Sequence, residues 1–225
     1  MSWLWNNLDL VFALLAEHAR LSALPILLGF AASLPLGWAA TRSRVARGIL
    51  LTVFNVLYTV PALALFVVLP GLLGTRILDD LNVIVALAIY ATAMMLRGTV
   101  DAFGSVSPAV LQSATAQGFG AVSRFWTVQL PLAGPVLLAN LRVVSVSTVS
   151  LLSVAALVGS GGLGYLFTNG YARGFLDEIV VGIVFTVLLA LVFDAILVLA
   201  GRLLMPWTRR RAVPTRIPLV KAAVP

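Results

Sequence analysis

Long apolar runs separated by short polar gaps organise this chain. The 21 residues between Arg20 and Arg42 carry no charge, and about 20 apolar residues of helix cross the roughly 30 Å of bilayer hydrocarbon. That run predicts a first membrane span. Gly48 to Thr75 is also uncharged and contains Pro61 and Pro70, which predicts a second, kinked span. Leu81 to Leu96, bounded by Asp80 and Arg97, predicts a third. A fourth runs over 133–158, interrupted by Arg142, and a fifth over 179–204, interrupted by Asp194. Ahead of the first span, Trp3, Leu4, Leu8, Val11, Phe12 and Leu15 recur at helical spacing, while Asn6, Asn7 and Asp9 take the other face. This reads as an amphipathic helix lying in the membrane interface. It lacks the basic leading region of a cleaved secretory signal. The expectation is an all-α integral membrane protein: an interfacial helix over 1–19, a five-span core over 20–204 and a tail over 205–225.

Composition narrows the function classes. Of the 225 residues, 61% are hydrophobic and 10% charged, against about a quarter charged in a soluble domain. A soluble enzyme, a disordered tail and a coiled coil are excluded. The net charge of +7 is no polyanion site, because the basic residues fall in the gaps between apolar runs, where they report topology. If the gap after span one is cytoplasmic, Arg42, Arg44, Arg47, Arg97, Arg124, Arg202, Arg209, Arg210, Arg211, Arg216 and Lys221 lie inside. Only Arg20, Arg76 and Arg173 then lie outside, with Asp9, Glu17, Asp79, Asp80, Asp177 and Glu178. The positive-inside rule thus predicts the N-terminus outside and the C-terminus, a basic Pro-rich tail, in the cytoplasm. There is no cysteine, which excludes disulfides, thiolate metal sites and Cys nucleophiles. His18 is the one histidine, so no multi-His metal site forms and no metal is expected.

One long cytoplasmic segment remains, from Arg97 to Pro131, and long loops in compact proteins usually carry function. Ser107-Pro108 has the form of a helix start, and Gly118 stands where the helix can end. Ser123 has the form of a second N-cap before Arg124-Phe125-Trp126, and Leu130-Pro131 closes the segment. Two short helices outside the bilayer follow from this reading, forming either a docking surface or an interfacial connector.

The segment Gln112-Ser113-Ala114-Thr115-Ala116-Gln117-Gly118, followed by Leu130-Pro131, resembles the EAA loop of ABC-importer permeases. In that family the pattern is Glu-Ala-Ala-x-x-x-Gly with a hydrophobic residue and Pro at this interval, and its helix seats on the ATPase subunit. Ala114, Gly118, Leu130 and Pro131 match it. Gln112 stands where the family has Glu, and Ser113 where it has Ala, so the ion pair to the ATPase is lost and a hydrogen bond is left. Tyr58-Thr59-Val60-Pro61-Ala62-Leu63-Ala64 resembles the Thr-(Ile/Val)-Pro-Ser-Leu-Ala segment of permeases for glycine betaine, carnitine and choline. Ala155 to Gly164 and Leu191–Asp194 are similar to two further segments of that subfamily. The resemblance implies a type I ABC permease in the plasma (inner) membrane, doing no catalysis and holding no cofactor, with ATP and Mg bound by a separate subunit. It implies as partners two cytoplasmic ATPase subunits, a second permease copy or paralogue, an extracytoplasmic solute-binding protein and the lipid bilayer, with no nucleic acid. The alternatives are another small solute, such as an amino acid, or an ATP-independent secondary transporter. The latter predicts internal repeats and ion-coupling acids, and Asp194 is the lone intramembrane acid.

Other candidates follow from the residues themselves. Gly159, Gly161 and Gly164 form a GxGxxG, but a membrane span precedes it, not the strand of a dinucleotide fold. Together with Gly162 they are expected to allow close helix approach and a turn at an outer gate. Arg142 and Asp194 each lie about ten residues from the cytoplasmic end of their spans, which at about 1.5 Å per residue puts them at one depth. A structural ion pair is expected, with contact to a solute as the other reading. Thr59, Pro61, Ser145 and Thr148 are candidates for a translocation path, although small hydroxyls also serve simply to pack helices. No aromatic cluster is evident within the spans, so capture of a quaternary ammonium is expected to fall to another protein.

Overall fold

The structure, a computed structural model, describes residues 2–208; the tail from 209 on lies outside the described residues. Ten α-helices follow one another: α1 Ser2–Asn6, α2 Leu8–Arg42, α3 Arg44–Thr59, α4 Ala62–Leu73, α5 Asp80–Gly104, α6 Pro108–Ala116, α7 Ala121–Arg124, α8 Leu130–Ala155, α9 Gly164–Ala172 and α10 Leu176–Leu204. No strand occurs among the described residues. Hydrocarbon offers no partner to backbone N–H and C=O groups, so a chain this apolar satisfies them within its own helices. Helices α2, α5, α8 and α10 are each long and apolar enough to cross a membrane.

Helix α5 is the centre, with 61% of its apolar window buried, against 6% for α10. On one side α2 lies along it, and the approach is set by small residues. A Cβ on Gly29 would stand 2.5 Å from Ala91 Cβ and 2.9 Å from the Ala91 backbone, and one on Gly37 would stand 2.5 Å from Thr99 Cγ2. Ser33, one turn from each, receives a hydrogen bond from Thr99 Oγ1 at 3.2 Å. With no hydrophobic drive between helices in lipid, such close backbone contact is what holds them together. Helix α8 covers the next face of α5, and Ile26, Met95, Phe103, Phe125, Leu137 and Val144 fill the core between them.

The structure departs from the sequence reading at three places and sharpens it at the expected kink in the second span. The expected boundary between residues 19 and 20 meets no break, because α2 runs through it. The polar residues there turn onto the protein: Arg20 pairs with Asp80, and Glu17 and His18 hold a distant loop (below). The second span is broken into α3 and α4, bent by 100°. Pro61 lacks an N–H and pushes Val60 to extended backbone at φ −65°, ψ 129°. Pro70, in contrast, sits inside α4 without ending it. Ser123 caps nothing: Gly120 precedes α7, and a π-helical turn over Phe125–Gln129 runs straight into α8, with Pro131 in its first turn. Finally, Arg97 lies within α5, which continues to Gly104.

The seam between α2 and α5 gives the first prediction. Gly29→Leu collides with fixed backbone and should cost about 1–3 kcal/mol by overpacking. Gly48→Leu on α3, where a Cβ meets nothing within 4 Å, should cost little. Thermal unfolding of the detergent-purified protein measures both; equal melting temperatures would refute the seam.

Candidate functional site

The segment between α5 and α8 is built on one buried ring. Phe125 is 6% exposed, and its centroid lies 5.2 Å from Trp38 of α2 and 5.4 Å from Phe103 of α5. Leu111 of α6 and Leu130 pack on the same core. Helix α6 begins at Ser107 with Pro108 in its first turn and ends in a Schellman closure. Phe119 N–H donates to the Ala114 carbonyl at 3.1 Å and Gly118 N–H to Thr115 at 3.0 Å. This closure needs Gly118 at φ +90°, a conformation that costs other L-residues about 1–2 kcal/mol. Ala114 is the buried residue of α6, whereas Gln112, Ala116 and Gly118 are exposed. Arg124 donates to the Thr115 hydroxyl, tying α7 to α6. The outer surface of α6 is therefore small and uncharged, and the helix rests on α7 and the π-helical turn that carries Phe125.

The break between α3 and α4 opens a groove of about 680 Å³ lined by Tyr58, Thr59, Pro61, Tyr90, Met94, Ser147 and Ser150 among others. Losing the helix frees the Val60 carbonyl, and the Tyr90 hydroxyl of α5 donates to it. Tyr58 packs edge-on against Tyr90 with centroids 5.7 Å apart. Two rings from different helices thus meet within the spans, where no aromatic cluster was expected. Thr59 and Pro61 share the groove with Ser147 and Ser150, and not with Ser145 and Thr148. The latter two are 1% and 3% exposed; Thr148 donates to Val144 at 2.8 Å, and Ser145 looks toward Phe193 and Leu197 on the far side of α8. Neither hydroxyl reaches the groove, and that of Ser145 is buried without a hydrogen-bond partner among the described residues.

After α8 the chain turns through residues 159–163 into α9. Gly159 and Gly162 take φ +82° and +86°. A Cβ on Gly161 would strike the Glu17 carboxylate, and one on Gly164 the Ser153 carbonyl. The turn is held from α2. Gly162 N–H donates to Glu17 Oε2 at 3.0 Å and Leu163 N–H to His18 Nδ1 at 3.1 Å. Because Nδ1 accepts, Nε2 carries the proton, and it donates to the Val149 carbonyl at 2.9 Å. His18, 0% exposed, is thus a structural clamp with a fixed tautomer.

Arg142 and Asp194 meet as a two-pronged pair, with Nε to Oδ1 at 2.5 Å and Nη2 to Oδ2 at 2.8 Å. Their side chains remain 43% and 27% exposed, so the pair neutralises itself at the edge of the α8–α10 contact and does not lie in the core.

Comparison with known proteins decides the family. A model described as the binding-protein-dependent transport system inner membrane component matches residues 29–210. The chain belongs to this family. It is 32% identical over 193 residues to the choline transport system permease protein OpuBB of Bacillus subtilis (strain 168), covering 84% of this chain and 86% of that one. It is 29% identical over 209 residues to the glycine betaine/carnitine/choline permease OpuCB of the same organism, covering 92% and 94%. Among solved structures, an inward-facing MetNI methionine ABC transporter shares the fold at a TM-score of 0.72 and 20% identity, over 90% of this chain and 98% of that one. The chain is therefore a permease, a multi-pass transport component of the inner membrane, and its all-α architecture is that of type I ABC permeases.

Phe125, Tyr58, Tyr90, Glu17 and His18 make the contacts that build these sites, and the sequence reading gave none of them a role there. A lone Glu-His pair inside an apolar helix was the available signal for the clamp; the aromatic meetings join distant segments and leave none. The Arg142–Asp194 pair yields the second prediction. Arg142→Leu alone should lower the yield of detergent-stable protein, and adding Asp194→Leu should restore most of it. Losses that simply add would show that the two groups are not coupled.

Proposed function

We propose that this permease is the membrane subunit of an ATP-binding-cassette importer for a small quaternary ammonium osmoprotectant such as choline, glycine betaine or carnitine. The observation that carries the proposal is that its relatives are permeases for choline, glycine betaine, carnitine and osmoprotectants, at 28–32% identity over most of the chain. The outer face of α6, with Gln112 exposed, Ala114 buried beneath it, the Gly118 closure after it and Leu130 and Pro131 as its support, is the seat of a cytoplasmic ATPase subunit, which binds ATP and Mg and does the hydrolysis. The N-terminus lies outside and the C-terminus inside, as the distribution of Arg and Lys favours. A second permease, copy or paralogue, completes the path; α3 buries no residue within a single chain, which supports a partner on that face. An extracytoplasmic binding protein delivers the solute to the end of the molecule that carries the Gly159–Gly164 turn. Closure of the ATPase pair draws the two α6 segments together, and the Phe125 ring passes that motion to α2 and α5.

A photocrosslinking residue at Ala116 should join this chain to the ATPase subunit. Gly118→Val should leave the protein in the membrane while abolishing osmotically stimulated choline and glycine betaine uptake. Absence of any crosslink in all nucleotide states, together with full uptake by Gly118→Val, would refute the coupling role.

A further inference from the structure

We propose that Tyr58, braced by the buried Tyr90, forms a cargo-contacting subsite in the membrane, offering its ring face to a quaternary ammonium head. This rests on the reading of the cargo given above. The rings stand 5.7 Å apart at 69° in an edge-on contact, so Tyr90 props Tyr58 as the back wall of the groove. Tyr90 is fixed: it is 6% exposed and anchored by its hydroxyl to the Val60 carbonyl. Tyr58 is open: it is 49% exposed and lines the groove at the break between α3 and α4. Packing accounts for Tyr90 but leaves about half of Tyr58 uncovered.

The chemistry of the groove suits one class of ligand. A quaternary ammonium has no N–H to donate, is weakly hydrated, and is attracted to the negative face of an aromatic ring. No Asp or Glu lines the groove, so a primary amine, which needs acceptors for its N–H groups, finds few here. The lack of a carboxylate also suits passage, since a transport site must bind its cargo firmly enough to admit it and weakly enough to release it. Ser147 and Ser150, one helical turn apart on α8, face the same groove. Their hydroxyls can donate to the carboxylate of a betaine or accept from the hydroxyl of choline.

The test is uptake of radiolabelled choline and glycine betaine by cells carrying the whole transporter, with the amount of assembled complex measured alongside. Tyr58→Phe and Tyr58→Trp keep a ring face and should stay within about two-fold of wild type. Tyr58→Leu and Tyr58→Met keep bulk without a ring face and should lose about ten-fold or more in Vmax/KM per assembled complex. Having two aliphatic variants keeps the comparison available if one assembles poorly. If the wild type imports the solutes and the aliphatic variants match the aromatic ones, the tyrosine subsite is wrong and the importer reading stands. If the wild type imports neither solute, the cargo class is wrong and the subsite falls with it.

Discussion

Every break in a helix that lies among membrane spans exposes backbone groups for which hydrocarbon has no answer. The structure depends on how these are met. At the break before Pro61 the freed Val60 carbonyl receives the Tyr90 hydroxyl from α5. In the turn after α8, the Gly162 and Leu163 amides are taken up by Glu17 and His18 of α2. The two interruptions are thus closed by side chains from the two helices that share the small-residue seam of Gly29, Ser33 and Gly37. The central helix pair is rigid, and it holds the irregular segments in place.

This arrangement separates framework from working surface. The seam, the His18 clamp and the Phe125 ring are buried and satisfied. The groove at Tyr58, the outer face of α6 and the outward face of α3 remain open in a single chain. A permease must change shape without melting, and a fixed pair of helices carrying broken neighbours permits this. In the proposed coupling the Phe125 ring is the link, since it touches α2 through Trp38 and α5 through Phe103 while standing at the head of the α8 run. A push on α6 therefore reaches both members of the rigid pair.

Much of this was legible in the sequence. Runs with at most one charge mark α2, α5, α8 and α10 because a charge in hydrocarbon is costly, and equal depth brings Arg142 to Asp194. The start and end of α6 follow from Ser107-Pro108 and Gly118, whose chemistry is local. The rest is not local. Hydroxyls occur all round α8, so Ser145 and Thr148 could not be told from Ser147 and Ser150 until the packing chose a face. Pro61 and Pro70 are the same residue in the same apolar run, yet only the first lies at a break that Tyr90 closes. The charges near residue 20 resemble an interface boundary because their partners, Asp80 and the 159–163 turn, are remote in sequence.

The central claim, that side chains from the rigid pair close the breaks, can be read directly by hydrogen–deuterium exchange on the complex in nanodiscs. The segment over Gly159–Gly164 should be protected in the wild type. His18→Leu orphans the Leu163 amide, at about 1–3 kcal/mol, so exchange there should rise by about ten-fold or more, while the centre of α5 stays protected. Rapid exchange of the wild-type turn, or equal exchange in wild type and His18→Leu, would contradict the account.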